Sequence, residues 1–216
     1  MTYYRKNMSL HDADQIKTLF LAEGDSEAFF IDALLRNNGC SEQEVYVFCF
    51  KGVSKLKAAL RYLRSERNFG RVDAIGIMID ADDVPAGRLN MVCDILVNQG
   101  ITGTRSDFAN QVIVESNNRK IVVFVSPGNG QNGTIETLVR QEIATQPEND
   151  CIDLFVSCLS KIDIDLNEKS IVQQFISIRK PRLCGVGRAF QAGVLNVQAD
   201  VYRQAADSLL SICDDS

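Results

Sequence analysis

Two short acidic clusters carry the most chemistry in this chain. Glu23-Gly24-Asp25-Ser26-Glu27 follows the apolar run Thr18-Leu19-Phe20-Leu21-Ala22, and Asp80-Ala81-Asp82-Asp83 follows an apolar run from Val72 to Ile79. Residues two apart on an extended chain point the same way. Asp80 and Asp82 are therefore expected to aim at one point, with Glu23 arriving from a neighbouring strand. Three converging oxygen donors suit Mg²⁺ or Mn²⁺, and Gly24 lets the backbone turn sharply behind Glu23. Acids are also common at strand ends and as helix caps, so Asp83 or Ser26 taken singly reads equally well as a cap. The two clusters together, at the ends of two strands, point to a site.

Other chemistries have little support. His11 is the only histidine and lies in a polar N-terminal stretch, which reads as surface and leaves no basis for histidine catalysis. The seven cysteines (Cys40, Cys49, Cys93, Cys151, Cys158, Cys184 and Cys213) contain no C-x-x-C pair. Several sit in apolar runs, and they read as small buried hydrophobes in a reducing compartment, not as zinc ligands or disulfides. Gly128-Asn129-Gly130-Gln131-Asn132-Gly133 spells G-x-G-x-x-G. It follows a late strand, with no second acid-tipped strand after it, so a dinucleotide fingerprint is a weak reading and a loop that places Glu136 is the better one. No Walker A motif occurs. The net charge of −5 counts against a dedicated nucleic-acid-binding module but not against an enzyme that touches nucleic acid locally.

The elements that must position these acids follow from periodicity. Strands are expected at Thr18–Ala22, Val45–Phe50, Val72–Ile79 and Lys120–Ser126, with a further one at Gln111–Glu115 followed by a turn at Asn117-Asn118. Helices are expected at about Ser26–Arg36 and Ser54–Arg67, and again after Asp83. This alternation predicts a largely parallel sheet covered on both faces, with ligands bound beyond the carboxyl ends of the strands. After Gly133 the chain turns helical, at about Thr134–Ile143, Ile152–Ser160, Ile171–Ser177 and Ala199–Ile212. Gln146-Pro147-Glu148-Asn149-Asp150 is the best linker candidate. No secretory signal follows Met1, and no apolar run approaches the roughly 20 residues that span a bilayer. The cytoplasm is the expected location, with no membrane partner; an oligomer is compatible with the sequence.

Leu19-Phe20-Leu21-Ala22-Glu23-Gly24-Asp25-Ser26-Glu27, taken with Ile77-Met78-Ile79-Asp80-Ala81-Asp82, resembles the Toprim domain of topoisomerases, primases, and OLD-type and recombination-repair proteins. The signature is a glutamate after the first strand and D-x-D after the third. The chain looks closest to small stand-alone OLD-like Toprim proteins. The resemblance implies an α/β, Toprim-like (Rossmann-like) mainly parallel sheet flanked by helices, with residues 15–130 as a metal-binding core and 131–216 as a helical extension packed on it. It also implies that Glu23 is a general acid/base or metal ligand and that Asp80 and Asp82 hold metal. Glu27 matches the second acid of many OLD-like members. Glu136, in Gly133-Thr134-Ile135-Glu136-Thr137-Leu138, matches a glutamate of a second metal site, with Thr137 where an acid is usual. Lys180, in Arg179-Lys180-Pro181-Arg182, resembles a lysine placed after the sheet, and Gly185 to Gly193 is similar to the tail of small members.

A histidine-poor carboxylate cluster suggests metal-assisted phosphoryl transfer. Glu23, Glu27, Asp80, Asp82 and Glu136 supply enough oxygens for a two-metal arrangement, and Lys180 can neutralise charge developing on a phosphate. The expected function is a Mg²⁺- or Mn²⁺-dependent nuclease acting on DNA or RNA; the resemblance implies prokaryotic defence or nucleic-acid processing. A non-catalytic Toprim module that binds nucleic acid, or a partner such as a separate ATPase, is the alternative. A primase-like polymerase or a phosphatase is a third reading, and the lack of a zinc-binding or helicase domain counts against the primase. Lys55, Lys57, Arg61 and Arg64 belong to the second helix, three of them opposite its leucines. They read either as a phosphate-tracking face or as a solvated one.

Overall fold

The computed structural model describes residues 15–41, 43–101, 114–116 and 119–213. His11, the start of the strand expected at Gln111–Glu115, and the turn at Asn117-Asn118 lie outside them. Five strands form one sheet: β1 (Thr18–Ala22), β2 (Val45–Cys49), β3 (Ala74–Asp80), β4 (Val114–Ser116) and β5 (Arg119–Ser126). Their order is β2-β1-β3-β5-β4. The first four strands of that order run parallel, and β4 pairs antiparallel to β5 at the edge. This is the helix-flanked, mainly parallel α/β class expected.

The central strands read as unbroken apolar runs because both faces of the sheet are covered. On one face Leu19, Leu21, Ile75, Ile77, Ile79, Ile121 and Val123 pack under α2 (Leu56–Ser65) and α3 (Pro85–Asn98). On the other, Phe20, Ala22, Met78, Val122 and Phe124 pack under α1 (Asp25–Asn37), α4 (Ile135–Ile143), α6 (Glu168–Arg179), α7 (Val186–Gln191) and α8 (Arg203–Leu210). α5 (Asn149–Ser160) lies outside this layer and fully buries only Ile152. The proposed linker is thus a tight turn at which α5 begins. Among the described residues no helix is long and apolar enough to cross a membrane.

α7 has no clear sequence signal, since six residues with an internal glycine make a poor helix by propensity. Packing forms it. A Cβ at Gly187 would lie 2.7 Å from the Phe29 ring and 3.0 Å from the Asp25 carbonyl oxygen, so only glycine lets α7 lie this close to α1. Phe190 then meets Phe30 and Tyr202 with ring centroids 5.2 and 5.5 Å apart, in the edge-on or tilted geometry that aromatic quadrupoles favour.

The C-terminal segment is tied to α4 through one buried carboxylate. Glu142 accepts the Tyr202 hydroxyl proton at 2.7 Å and the Asn196 N–H at 3.0 Å. Burial raises the Glu142 pKa, with the two hydrogen bonds opposing. Tyr202→Phe leaves a buried carboxylate oxygen without its donor, which costs about 1–3 kcal/mol. The expected readout is a lower urea midpoint with an unchanged m-value.

The cysteine expectation needs correction. All seven are free, but only Cys93 is buried, and Cys151, Cys158 and Cys184 are exposed. The apolar run containing Cys151 and Cys158 is an outward-facing part of α5, so apolar neighbours in sequence did not mean burial.

Candidate functional site

The sheet order places β1 and β3 side by side at its centre, with successive connections leaving in opposite directions. The crevice beyond their carboxyl ends is the topological switch point, the usual ligand position in open α/β sheets. Glu23 and Asp80 stand there. The Glu23 backbone N–H bonds the Met78 carbonyl at 3.0 Å. Its carboxylate bridges the turn after β2 and the end of β3, Oε1 accepting the Val53 N–H at 3.1 Å and Oε2 the Asp80 N–H at 3.2 Å.

Two helix starts deliver further acids. Glu27, in the first turn of α1, reaches back to accept the Gly24 N–H at 2.7 Å, one half of a capping box. Gly24 is extended, and its role is space: a Cβ there would meet Glu27 Oε2 at 2.7 Å. α4 begins opposite. The Ile135 N–H donates to Asp80 Oδ1 at 3.0 Å, and the Thr134 hydroxyl lies 2.9 Å from Glu136 Oε2. The N-terminus of α4, with its partial positive charge, therefore meets Asp80 directly, while the start of α1 presents Glu27 to the same cleft.

Glu27, Asp80, Thr134, Glu136, Asn167, Glu168 and Lys169 line an open cleft of about 500 Å³. Burial raises the Glu27 pKa to about 7, helped by the charges of Glu136 and Glu23. Burial raises Asp80 to about 9, helped by Glu27, Glu136 and Glu23. Glu23, Glu27, Asp80 and Glu136 thus form one electrostatically coupled group. Beside it, Ser126 pairs in register with Asp80. Ser126 is fully buried, and its Oγ has no partner among the described residues.

The structure separates Asp82 from this group. Extended geometry ends at Asp80, and Asp82 takes a left-handed conformation (φ 48°). Its backbone exchanges two hydrogen bonds with Gly133, and its carboxylate pairs with Arg88. Asp82 lines a second cleft of about 660 Å³ with Asp83, Arg88 and Asn132, and this cleft shares Thr134 and Glu168 with the first. The expected convergence of Asp80 and Asp82 fails because the two-residue rule holds only while the chain stays extended.

Lys180 also lies elsewhere. It follows the last residue of α6, while Lys169, in the first turn of that helix, lines the acid cleft. Eleven residues of helix place them about 16 Å apart along the axis. Lys55, Lys57, Arg61 and Arg64 are exposed on the 3₁₀ turn and helix that follow Val53. Glu168 and Lys169 had no local signal; they reach the site only because α6 packs against α4.

Among the described residues no three acid, cysteine or histidine side chains form a ready-made metal-ligating group. A divalent ion fits by the chemistry of the donors, which are hard carboxylate oxygens in mutual repulsion, and by the unpartnered Ser126 hydroxyl beside them. Glu27, Asp80 and Glu136 are the residues that could hold it.

Fold and site together define a helix-flanked, mainly parallel α/β protein with carboxylates gathered at its switch point. Over residues 17–214 the chain matches the family described as "Protein of unknown function (DUF3226)", and it belongs to that family. No curated protein matches it by sequence. Among solved structures it is similar to the C-terminal region of the Xanthomonas campestris pv. campestris OLD protein, at 14% identity and TM-score 0.46, covering 91% of this chain and 93% of that one. It is also similar to the C-terminal region of the Burkholderia pseudomallei OLD protein, at 13% identity and TM-score 0.45, covering 91% and 98%.

Proposed function

We propose that the chain is a Mg²⁺- or Mn²⁺-dependent nuclease that hydrolyses phosphodiester bonds in DNA or RNA. One observation carries the reading. Glu23, Glu27, Asp80, Glu136 and Glu168 bond only backbone amides or hydroxyls, and none has a basic partner among the described residues. Asp25, Asp82, Glu148 and Asp153, outside the group, each pair with a lysine or arginine. A carboxylate group in which no member is paired to a basic side chain among the described residues is a cation site in search of its cation.

A bound divalent ion supplies Lewis-acid activation of the phosphodiester. Glu27, Asp80 and Glu136 hold it. Glu23, clamped by two amides, fixes the turn that presents Asp80. Lys169 places positive charge on the phosphate, the role expected of Lys180 from sequence. Lys55 and the exposed basic face of α2 offer a path for the strand. Lys169→Ala is expected to lower cleavage about 10–100-fold while Lys180→Ala stays within about 2-fold of wild type; equal losses would return the role to Lys180.

The direct test is incubation of purified protein with single- and double-stranded DNA and RNA, with Mg²⁺, Mn²⁺ or chelator. Cut strands only with metal support the reading, and intact strands throughout sink it. The pairing of Asp82 with Arg88 favours a second reading, a non-catalytic Toprim module that binds nucleic acid or a partner such as a separate ATPase. Retention of nucleic acid without cleavage would select it.

A further inference from the structure

We propose that Glu168 is an additional ligand of this cation site, delivered by α6, so that a bound ion fastens the C-terminal helices to the edge of the sheet. The inference rests on the metal reading above and adds a residue and a mechanical consequence to it.

Glu168 and Thr134 are the two residues that line both clefts. The Glu168 carboxylate is held in place from one side. The Thr137 hydroxyl accepts the Thr134 N–H at 3.1 Å and lies 2.6 Å from Glu168 Oε2, to which it donates. Because the hydroxyl accepts from behind, its proton points forward, and one carboxylate oxygen is fixed against α4. The other, Oε1, bonds nothing among the described residues. The turn that carries Glu168 is fixed as well, since the Asn167 side chain accepts the Ser170 N–H at 2.9 Å.

An acid in the first turn of a helix ordinarily serves the helix dipole. That role needs no partner on another helix, whereas the exposed Glu168 carboxylate is bonded across to Thr137 of α4 at the mouth of an acid cleft. Ser126 gives independent support. Its Oγ is fully buried without a partner among the described residues, and its side chain leaves the sheet on the same face as that of its register neighbour Asp80. Buried hydroxyls almost always find a partner, so this one leaves an unmet hydrogen-bonding group beneath the Asp80 side of the sheet edge, where a ligand or its inner water belongs.

The bound ion therefore has donors from the sheet and from three helices: Asp80 from β3, Glu27 from α1, Glu136 from α4 and Glu168 from α6. Occupancy of the site pulls the first turn of α6 against α4, and it does so without any substrate.

The test is Mn²⁺ binding by calorimetry, together with amide hydrogen exchange over α6, on wild type, Glu168→Gln and Asp165→Asn. Asp165→Asn removes the same charge from the adjoining loop. Wild type and Asp165→Asn are expected to bind Mn²⁺ alike and to show Mn²⁺-induced protection at the start of α6. Glu168→Gln, folded by circular dichroism, is expected to bind at least about 10-fold more weakly or to lose one equivalent of metal, and to lose the protection. Wild-type affinity, stoichiometry and protection in Glu168→Gln would overturn the role of Glu168 and leave the metal site standing. Absence of Mn²⁺ binding in wild type would overturn both.

Discussion

Asp80→Asn is expected to abolish metal-dependent cleavage, lowering it roughly 1000-fold, the scale on which loss of a single preorganised charged group slows turnover. The substitution is close to isosteric. The amide oxygen it introduces can still accept the Ile135 N–H that Asp80 accepts at 3.0 Å, so the start of α4 keeps its anchor. What disappears is a negative charge at the centre of the carboxylate group, flanked by Glu27, Glu136 and Glu23. Folding should therefore survive while the affinity for Mg²⁺ or Mn²⁺ falls. The measurement is initial cleavage rate against metal concentration for both proteins. A rate unchanged at saturating Mn²⁺ would remove Asp80 from the chemistry and take the nuclease reading with it.

The second large effect is on stability, and its sign is opposite to that of a salt-bridged carboxylate. Burial and neighbouring charge raise Asp80 to about 9 from 3.8 and Glu27 to about 7 from 4.5. Between the unfolded and folded values the native state holds protons that the unfolded chain has released. Stability then falls as pH rises, because the slope follows protons bound in the unfolded state minus those bound in the native state. In chelator, the free energy of unfolding should decline from about pH 5 to about pH 8 by on the order of a few kcal/mol, since each tenfold difference in proton affinity is worth about 1.4 kcal/mol. Mg²⁺ should reverse this, since a cation replaces the protons and binds best when both groups are ionised. The Mg²⁺-induced rise in Tm is thus expected to be larger at about pH 8 than at about pH 5.5. Asp80→Asn should be more stable than wild type at the alkaline end in chelator and should flatten the profile. Wild-type stability that rises across this range without metal would contradict the buried, mutually repelling arrangement.

Much of this site is visible in the residues themselves. An apolar run ending in Glu23-Gly24 and another ending in Asp80 read as strands of a parallel sheet, and parallel strands deliver their carboxyl ends to the same edge. Helical periodicity starts just after Asp25 and just after Thr134, and helix starts favour acids and capping groups, which is why Glu27 and Glu136 are legible in the sequence. These features are local: a period of two or 3.6, a cap and a glycine act over a few residues, so the order of neighbouring residues alone decides them.

The remainder depends on contacts between residues distant in the chain. Asp82 leaves the group because its backbone pairs with Gly133, far along the chain, in a left-handed turn. Glu168 and Lys169 join the cleft, and Lys180 does not, because α6 packs on α4 with its N-terminus toward Asp80. α7 exists because Gly187 fits against α1, and Cys151 and Cys158 face outward because α5 lies outside the layer that covers the sheet. By itself the sequence determined which strand ends and helix starts carry acids. Only the tertiary structure decided which of those acids share a cleft, since helix packing and backbone pairing across the chain have no local signature.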